Sequence, residues 1–372
     1  MQQRCGQPVA APTRGYEELR ELCVAAGDQI SLAIATAGHI LEVYFNARHT
    51  EASQAATELD RLLDVIGDPT LTLALAATAM SAKQQTGEMT EVLRLAERSI
   101  DLAGGDATKG KMMTGSPLTL AIAFRGMARC FLGIAGWKAD FEQAVAMAQS
   151  TEPITRAAAL YFTYIVAIMN GVLAPSTSLL REAEEIRKVA AQSGENVAVA
   201  QGDQYTGIVL LRLGGSSRAK GIQLTEKVRE MTLQGGYNLA VLPLIDLHLA
   251  EEKVRVGDYA GAISLSRPAV DDFFSTGDKL WAGCVTNVFV DALLGSGSAA
   301  DLQEAEAAVD RLAALPIEPA VVVHKAWLLR AQALLARAQG DAAGYRRYRD
   351  AYRKMAADMG FEGHMAWAEA MD

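Results

Sequence analysis

The sequence is poor in cysteine, histidine and aromatic side chains, and the shortage excludes several classes of site. Its 372 residues include four cysteines, five histidines and 6% aromatic residues. Cys5, Cys23, Cys130 and Cys284 form no CxxC pair and no cysteine–histidine cluster, so their spacing supports neither a zinc site nor a disulfide framework. We therefore expect a protein of the reducing cytoplasm that holds no metal and no cofactor.

Positive charge is also scarce. Lysine and arginine number 35 against 44 aspartates and glutamates, for a net charge of −9. A nucleic-acid surface needs clustered positive charge, so nucleic acid is not an expected partner. Residues 1–14, MQQRCGQPVAAPTR, lack the apolar core of a signal peptide and predict a disordered tail.

One long stretch has no charge at all. Ala157–Leu180, AAALYFTYIVAIMNGVLAPSTSLL, is long enough to span a bilayer. Asn170, Gly171 and Pro175 interrupt it, however, and the same length suits a helix enclosed between neighbours in an all-helical array. We expect the enclosed helix and no membrane contact.

Glycines end apolar helical stretches at a spacing of roughly 40 residues, the range of helical-hairpin repeats. The second helix of each pair often begins with a capping residue and a proline, as at Asp68–Pro69 and Ser116–Pro117. No segment has the alternating β-branched pattern of a strand. The apolar residues are mostly Ala, Leu, Val, Ile and Met, which also favours helices.

Two segments resemble the tetratricopeptide repeat: GWKADFEQAV from Gly136 and GDYAGAI from Gly257. In that repeat, glycine ends the first helix, an aromatic residue such as Tyr259 wedges between helices, and a small residue such as Ala262 permits close packing. We predict an all-α fold: a right-handed α-solenoid of about seven or eight stacked αα-hairpins, in degenerate and lengthened tetratricopeptide-like repeats. The array is expected over residues 15–359, with a C-terminal capping segment over 360–372 that covers the core with Phe361, Met365 and Trp367.

Two longer segments narrow the resemblance. Tyr345–Met371, YRRYRDAYRKMAADMGFEGHMAWAEAM, and Asp101–Arg129, DLAGGDATKGKMMTGSPLTLAIAFRGMAR, are similar to the C-terminal helical region of actinobacterial, especially mycobacterial, STAND-type regulators. Such proteins carry a class III nucleotide cyclase domain or related module, an AAA-like ATPase, this helical array and in some cases a LuxR-type helix-turn-helix. The resemblance covers most of residues 15–372. It implies that an upstream ATPase or cyclase domain handles ATP and is the partner that the array biases.

The loop Gly104–Gly115, GGDATKGKMMTG, holds most of a phosphate-binding motif. A true phosphate-binding loop has Ser or Thr after its lysine, a strand before it and a helix directly after it. Met112 follows Lys111, a helical pattern precedes the glycines, and the next helix is expected only at Ser116. We therefore expect no nucleotide at this loop.

Histidine and carboxylate patterns predict no catalytic or metal site. Asp246 and His248 are two residues apart and so lie on different helix faces, while His248 with Glu251 or Glu252 favours a surface hydrogen bond or ion pair. In REAEEIRK, Glu184 and Lys188 are spaced for a pair on a solvated helix face, and DLQEAEAAVDRL, from residue 301, is of the same kind.

The segment YRRYRDAYRK combines aromatic and basic residues. Tyr345, Tyr348 and Tyr352 share one stripe, and the other side carries Arg346, Arg347, Arg353 and Lys354. Single-stranded nucleic acid would need exposed aromatic rings. The acidic chain favours tyrosines packed on the preceding helix and basic residues in solvent.

We therefore predict a non-catalytic interaction or sensor module of a bacterial signalling or transcription-regulatory protein, which binds a protein partner or small effector on its concave face. Two alternatives stay open. The chain could be part of a nucleotide-dependent enzyme, a STAND ATPase or adenylate/guanylate cyclase, whose ATP site lies in an absent upstream domain. It could also be a DNA-linked regulator that uses Arg346 and Arg347.

Overall fold

A computed structural model describes residues 13–112, 115–193 and 195–371. Those residues form nineteen α-helices and no strand, so the all-α prediction is confirmed. The tail expected over residues 1–14 lies outside the described residues, apart from Thr13 and Arg14, with which the first helix begins.

The chain divides into two compact units. Unit 1 comprises the described residues up to Thr163 together with Thr276–Asp278, and unit 2 comprises Tyr164–Ser275 and the described residues from Lys279 onward. The helices of unit 1 are α1 (Thr13–Ala26), α2 (Gln29–Phe45), α3 (His49–Ile66), α4 (Pro69–Gln85), α5 (Met89–Ala103), α6 (Pro117–Leu132), α7 (Trp137–Ala148) and α8 (Pro153–Leu160).

The helices of unit 2 are α9 (Val166–Met169), α10 (Thr177–Ser193), α11 (Asn196–Leu213), α12 (Arg218–Leu233), α13 (Leu242–Arg255), α14 (Tyr259–Thr276, whose last residue belongs to unit 1), α15 (Ala282–Ser296), α16 (Ala299–Ala313), α17 (Val322–Ala338), α18 (Ala342–Met359) and α19 (Glu362–Glu369). A π-helical turn, Tyr161–Ile165, joins α8 to α9.

Successive helices form stacked hairpins, and the two helices of a hairpin differ in how much of their surface is buried. We call α2, α4, α6, α11, α13, α15 and α17 the inner helices. Neighbouring inner helices pack on one another, as α2 does on α4, α4 on α6, α13 on α15 and α15 on α17. Inner helices such as α4 and α15 are buried on almost every side, whereas the helices that follow them, such as α5 and α16, bury one stripe. This alternation is that of a tetratricopeptide-like helical repeat.

Local signals in the sequence set the helix ends. Asp68 Oδ1 accepts hydrogen bonds from the amides of Thr70 and Leu71 at 2.8 and 3.2 Å and caps α4, with Pro69 in the first turn. Ser116 Oγ accepts from the Thr119 amide at 3.3 Å and caps α6. Both predicted helix starts are confirmed, because capping depends on neighbours in the sequence.

The aromatic wedge expected at Tyr259 is also present. A Cβ atom added to Gly295 on α15 would collide with the Tyr259 ring, so glycine lets α14 and α15 approach closely. Ala262, on the same helix as Tyr259, is fully buried.

The charge-free stretch is not one long helix. It contains the end of α8, the π-helical turn, the four-residue α9 and the start of α10. Asn170 and Gly171, with φ +68° at Gly171, end α9 at the point where the sequence breaks the run. Of the helices that the structure describes, none combines the length and apolarity required to cross a membrane.

Candidate functional site

A cavity of about 60 Å³, partly open to solvent, lies between the inner helices of unit 2. Side chains from α11, α13, α15, α17 and the terminal helix α19 line it: Arg212, Leu247, Glu251, Val254, Cys284, Asn287, Val288, Asp291, Trp327, Arg330 and Trp367. Space of that size is enough for a few water molecules. The lining combines charged, amide and indole groups with aliphatic ones.

Two arginine–carboxylate pairs form the polar part of the wall. Arg330 on α17 donates hydrogen bonds to Asn287 Oδ1 at 3.0 Å and to Asp291 Oδ2 at 2.9 Å, both on α15. Arg212 on α11 donates to Glu251 on α13. Each pair therefore joins neighbouring inner helices across the cavity wall, and the two positive charges balance the two negative ones.

Arg330 keeps its charge although it is enclosed. Burial disfavours the charged guanidinium, but Asp291 and Tyr352 outweigh that effect and hold the pKa of Arg330 above its ordinary value. The cavity thus contains a fixed cation whose position is set by directional hydrogen bonds.

One donor of this wall has no acceptor within the described part of the chain. It is the buried Nε of Arg212, and Nε2 of the buried His248 on α13 is likewise unpaired. Burial, reinforced by the charge of Arg212, lowers the pKa of His248 to about 3, so its ring is neutral at neutral pH. Buried donors in folded proteins are nearly always paired. A ligand or water that offered an acceptor would satisfy Arg212.

Two indoles form the aromatic part of the wall. The rings of Trp327 and Trp367 lie 5.2 Å apart at an angle of 37°, and the Arg330 guanidinium lies 5.7 Å from the Trp367 ring. The indole of Trp327 donates a hydrogen bond to Asn170 Oδ1 at 3.4 Å. The backbone carbonyl of Trp327 accepts a hydrogen bond from Asn287 Nδ2 at 3.0 Å. These contacts hold the aromatic surface in one orientation.

Helix α19 brings Trp367 to the cavity by docking on the loop after α9. The amides of Glu362 and His364 donate to the carbonyls of Val172 and Gly171 at 2.8 and 2.9 Å. His364 Nδ1 lies 2.8 Å from the Tyr352 hydroxyl. A Cβ atom on Gly171 would collide with the Trp367 ring, so this contact requires glycine. The beginning and end of unit 2 are therefore joined beside the cavity.

The carboxylates and the thiol of the cavity wall make contacts within the protein. Glu251 and Asp291 each accept a hydrogen bond from an arginine. Cys284 is buried, and its Sγ lies 3.2 Å from the Trp281 carbonyl. The described residues contain no group of three His, Cys, Asp or Glu side chains placed to hold a metal ion.

The loop Gly104–Gly115 does not have the geometry of a phosphate-binding loop. The Gly104 amide donates to the last turn of α5, and the Thr108 amide donates to Asp106 Oδ1 at 2.8 Å. These amides are therefore used inside the protein, and Lys111 is exposed. As predicted, a helix precedes the loop and the next begins after Ser116; Met113 and Thr114 lie outside the described residues.

The carboxylates of α13 each have an arginine partner. Asp246 accepts from Arg229 on α12 at 2.5 Å, and Glu252 accepts from Arg218 and Arg255. His248 is buried, and Glu251 and Glu252 accept hydrogen bonds from arginines, so the expectation of a surface pair between His248 and one of these glutamates was wrong.

The prediction of an ion pair between Glu184 and Lys188 was also wrong, because each residue has another partner. Glu184 accepts from Lys220 on α12 at 3.0 Å, whereas Lys188 lies 3.9 Å from Glu185. A neighbouring helix supplied a better partner than the same helix did. The segment remains a half-exposed to exposed charged surface.

Of the three tyrosines of α18, only Tyr352 is buried as expected, and Tyr345 and Tyr348 are half-buried. Tyr352 is fully buried and Tyr345 donates to the Met371 carbonyl, while Arg346 and Arg347 are exposed. Arg353, expected in solvent, instead donates two hydrogen bonds of 3.1 Å to the Ala368 carbonyl at the end of α19. That interaction suits a cation because the carbonyls at a helix C-terminus carry partial negative charge.

The capping residues also differ in part from the expectation. Phe361 is fully buried and Trp367 is half-buried, but Met365 is 38% exposed. Met365 therefore does not cover the core.

Sequence reasoning missed Arg212, Asn287, Asp291 and Arg330. They lie in three helices, and no short motif connects them. The one available signal was a charge inside an apolar inner helix, as in VFVDALL around Asp291 and WLLRAQALL around Arg330. Such charges are rarely buried unless they are paired.

Comparisons with known proteins give no family for the chain. No family model matches it, and no curated protein matches it. Among solved structures, the chain is similar to the crystal structure of yeast Tom70. The two sequences are 13% identical, the match covers 91% of this chain and 95% of the Tom70 chain, and the TM-score is 0.23. The fold assignment rests on the helices described above.

Proposed function

We propose that the chain is a non-catalytic recognition module that binds a small effector in the cavity of unit 2 and serves as the sensor of a bacterial signalling or transcription-regulatory protein. The observation that carries the proposal is a cavity that Arg212, whose buried Nε donor is unpaired, lines together with Trp327 and Trp367. Small-ligand sites commonly combine apolar walls with a few fixed polar groups. The effector would carry a hydrogen-bond acceptor and a planar apolar part.

An effector of this kind can report its presence through the helices around it. It would contact the inner helices and α19 together. Its binding free energy would therefore favour the arrangement of unit 2 in which α19 is docked beside the cavity. The similarity of Tyr345–Met371 to STAND-type regulators supports an upstream ATPase or cyclase domain as the receiver of that signal.

A fragment screen tests the proposal. The full chain is mixed with a library of small aromatic carboxylic acids, and binding is detected by ligand-observed NMR. Hits should be lost in Val288→Trp, because the added indole fills the cavity that Val288 lines. They should persist in Val256→Trp, since Val256 is 64% exposed at the end of α13. Equal retention of all hits by both variants would refute the proposed site.

A further inference from the structure

The inner helix α2 has an apolar stripe that no described residue covers. Ile30, Ile34, Gly38, Leu41 and Phe45 follow the spacing i, i+4, i+8, i+11 and i+15, which places them on one helix face. Ile30, Ile34 and Phe45 are 51%, 43% and 44% exposed. We call these five residues the α2 stripe.

The α2 stripe distinguishes α2 from the inner helices that follow it in unit 1. Helices α4 and α6 bury side chains on nearly every side, and neither has an exposed large apolar residue among those described. Helix α2 buries Ala33, Ala37 and Ile40 but leaves Ile30, Ile34 and Phe45 of the stripe exposed. A contiguous exposed apolar face is typical of an interaction site.

Gly38, in the middle of the stripe, packs against no described residue. A Cβ atom added to Gly38 would meet nothing within 4 Å. By contrast, a Cβ atom on Gly126 of α6 would lie 2.8 Å from Phe141, and one on Gly283 of α15 would lie 2.5 Å from Trp327. Glycine inside a helix is destabilising relative to alanine. At Gly126 and Gly283 close packing explains the glycine, and at Gly38 a partner that approaches the backbone closely would explain it.

The edge of the stripe offers a spare carboxylate oxygen. Glu42 lies one residue from Leu41, and its Oε1 is buried with no hydrogen-bond partner in the described structure. Its other oxygen, Oε2, lies 4.0 Å from Nδ1 of His39. The Glu42 side chain as a whole is 25% exposed, so a lysine or arginine beside the stripe would pair with its carboxylate.

From these features we propose that the α2 stripe binds an amphipathic helix of a partner protein, with an aliphatic face against the stripe and a lysine or arginine that meets Glu42. A second copy of this chain fits less well. A two-fold contact would bring the same acidic edge from each copy together, and the chain as a whole carries a net charge of −9. This surface is separate from the cavity of unit 2 and does not depend on the effector.

Peptide binding to the full chain tests the proposal. The probe is a fluorescein-labelled helical peptide with leucines at i, i+4, i+7 and i+11 flanked by lysines, and the matched peptide has glutamates in place of the lysines. Fluorescence anisotropy should give tighter binding of the lysine peptide. Ile34→Gln should weaken it about tenfold or more, because burial of isoleucine is lost. The matched control is Val65→Gln, since Val65 is 69% exposed on α3, and it should bind as the parent does.

Two further variants keep the test independent of folding. Gly38→Ala should raise the melting temperature of the free chain and still weaken the lysine peptide, because its methyl group obstructs close approach. Glu42→Gln should remove the preference for lysine over glutamate. The proposal is overturned if Ile34→Gln and Val65→Gln bind alike, if neither peptide binds, or if sedimentation reveals a dimer of the parent chain that Ile34→Gln dissociates.

Discussion

The guanidinium of Arg330 on α17 lies 2.9 Å from the carboxylate of Asp291 on α15. The two residues are 39 positions apart in the sequence, and both line the cavity of unit 2. The arginine also donates to Asn287, so three side chains fix the spacing of two inner helices. The same contacts that hold the helices together therefore shape the binding surface.

Removal of one member of this pair should destabilise the protein. Arg330→Met leaves the Asp291 carboxylate in a partly enclosed site without its cation, which we expect to lower the free energy of unfolding by about 2–3 kcal/mol. Urea denaturation followed by circular dichroism measures the change.

The double variant Arg330→Met with Asp291→Leu removes both charges and should recover most of the loss. Arg346→Met is the control, because Arg346 is exposed on α18. A double variant that is less stable than Arg330→Met would show that the pair contributes in another way.

Gly283 should not tolerate a methyl group. Its Cβ atom would lie 2.5 Å from the Trp327 ring, and relief of that clash must move either the indole or α15. We expect Gly283→Ala to cost about 1–3 kcal/mol of unfolding free energy. Gly38→Ala, in open space, should be neutral or stabilising in the same urea titration. Similar midpoints for the two variants would contradict this packing.

The docking of α19 on the loop after α9 should become less stable in acid. Burial, with the charge of Arg330, lowers the pKa of His364 to about 3. Below the ordinary value of about 6.5 the unfolded chain therefore binds a proton that the folded ring does not, and stability falls as pH falls from about 6.5 toward 3. His248 acts in the same direction.

The variant His364→Gln isolates one of these contributions. The loss of unfolding free energy between pH 7 and pH 5 should be about 1–2 kcal/mol smaller in the variant than in the parent. Urea midpoints at the two pH values give the comparison. An equal loss in both proteins would mean that His364 does not titrate on unfolding.

The Gly104–Gly115 loop should not bind nucleotide. Among its described residues, the amides of Gly104, Asp106, Thr108 and Lys109 donate to α5 or to Asp106, so these N–H groups do not converge on a phosphate. Calorimetric titration of Mg-ATP into the full chain should give no saturable heat, and Lys111→Ala should behave as the parent. Saturable binding that Lys111→Ala abolishes would favour the nucleotide-dependent alternative.

Helix ends and fold class were predictable because their causes are local. The N-terminal cap that Asp68 gives to α4 needs only the next few residues. Gly104 ends α5 because it adopts a left-handed conformation, with φ +59°. The repeated wedge and small residue, as at Tyr259 and Ala262, likewise lie on one helix. These signals depend on short sequence separations, so they can be recognised without coordinates.

The cavity was not predictable because its cause is tertiary. Arg212 and Glu251 meet across 39 positions, and Trp327 reaches Asn170 across 157. The Glu184–Lys188 prediction was wrong for the same reason, since a lysine on another helix was closer. Which of several possible partners a charge meets depends on how the hairpins stack.

Fluorine NMR of the chain labelled with 5-fluorotryptophan tests the proposed effector site most directly. The chain has four tryptophans: Trp137 in unit 1 and Trp281, Trp327 and Trp367 in unit 2. Addition of an aromatic carboxylic acid from the screen should shift the Trp327 and Trp367 resonances and leave Trp137 unchanged, because only the former two line the cavity. Unchanged Trp327 and Trp367 signals at a saturating concentration of a confirmed ligand would contradict the account.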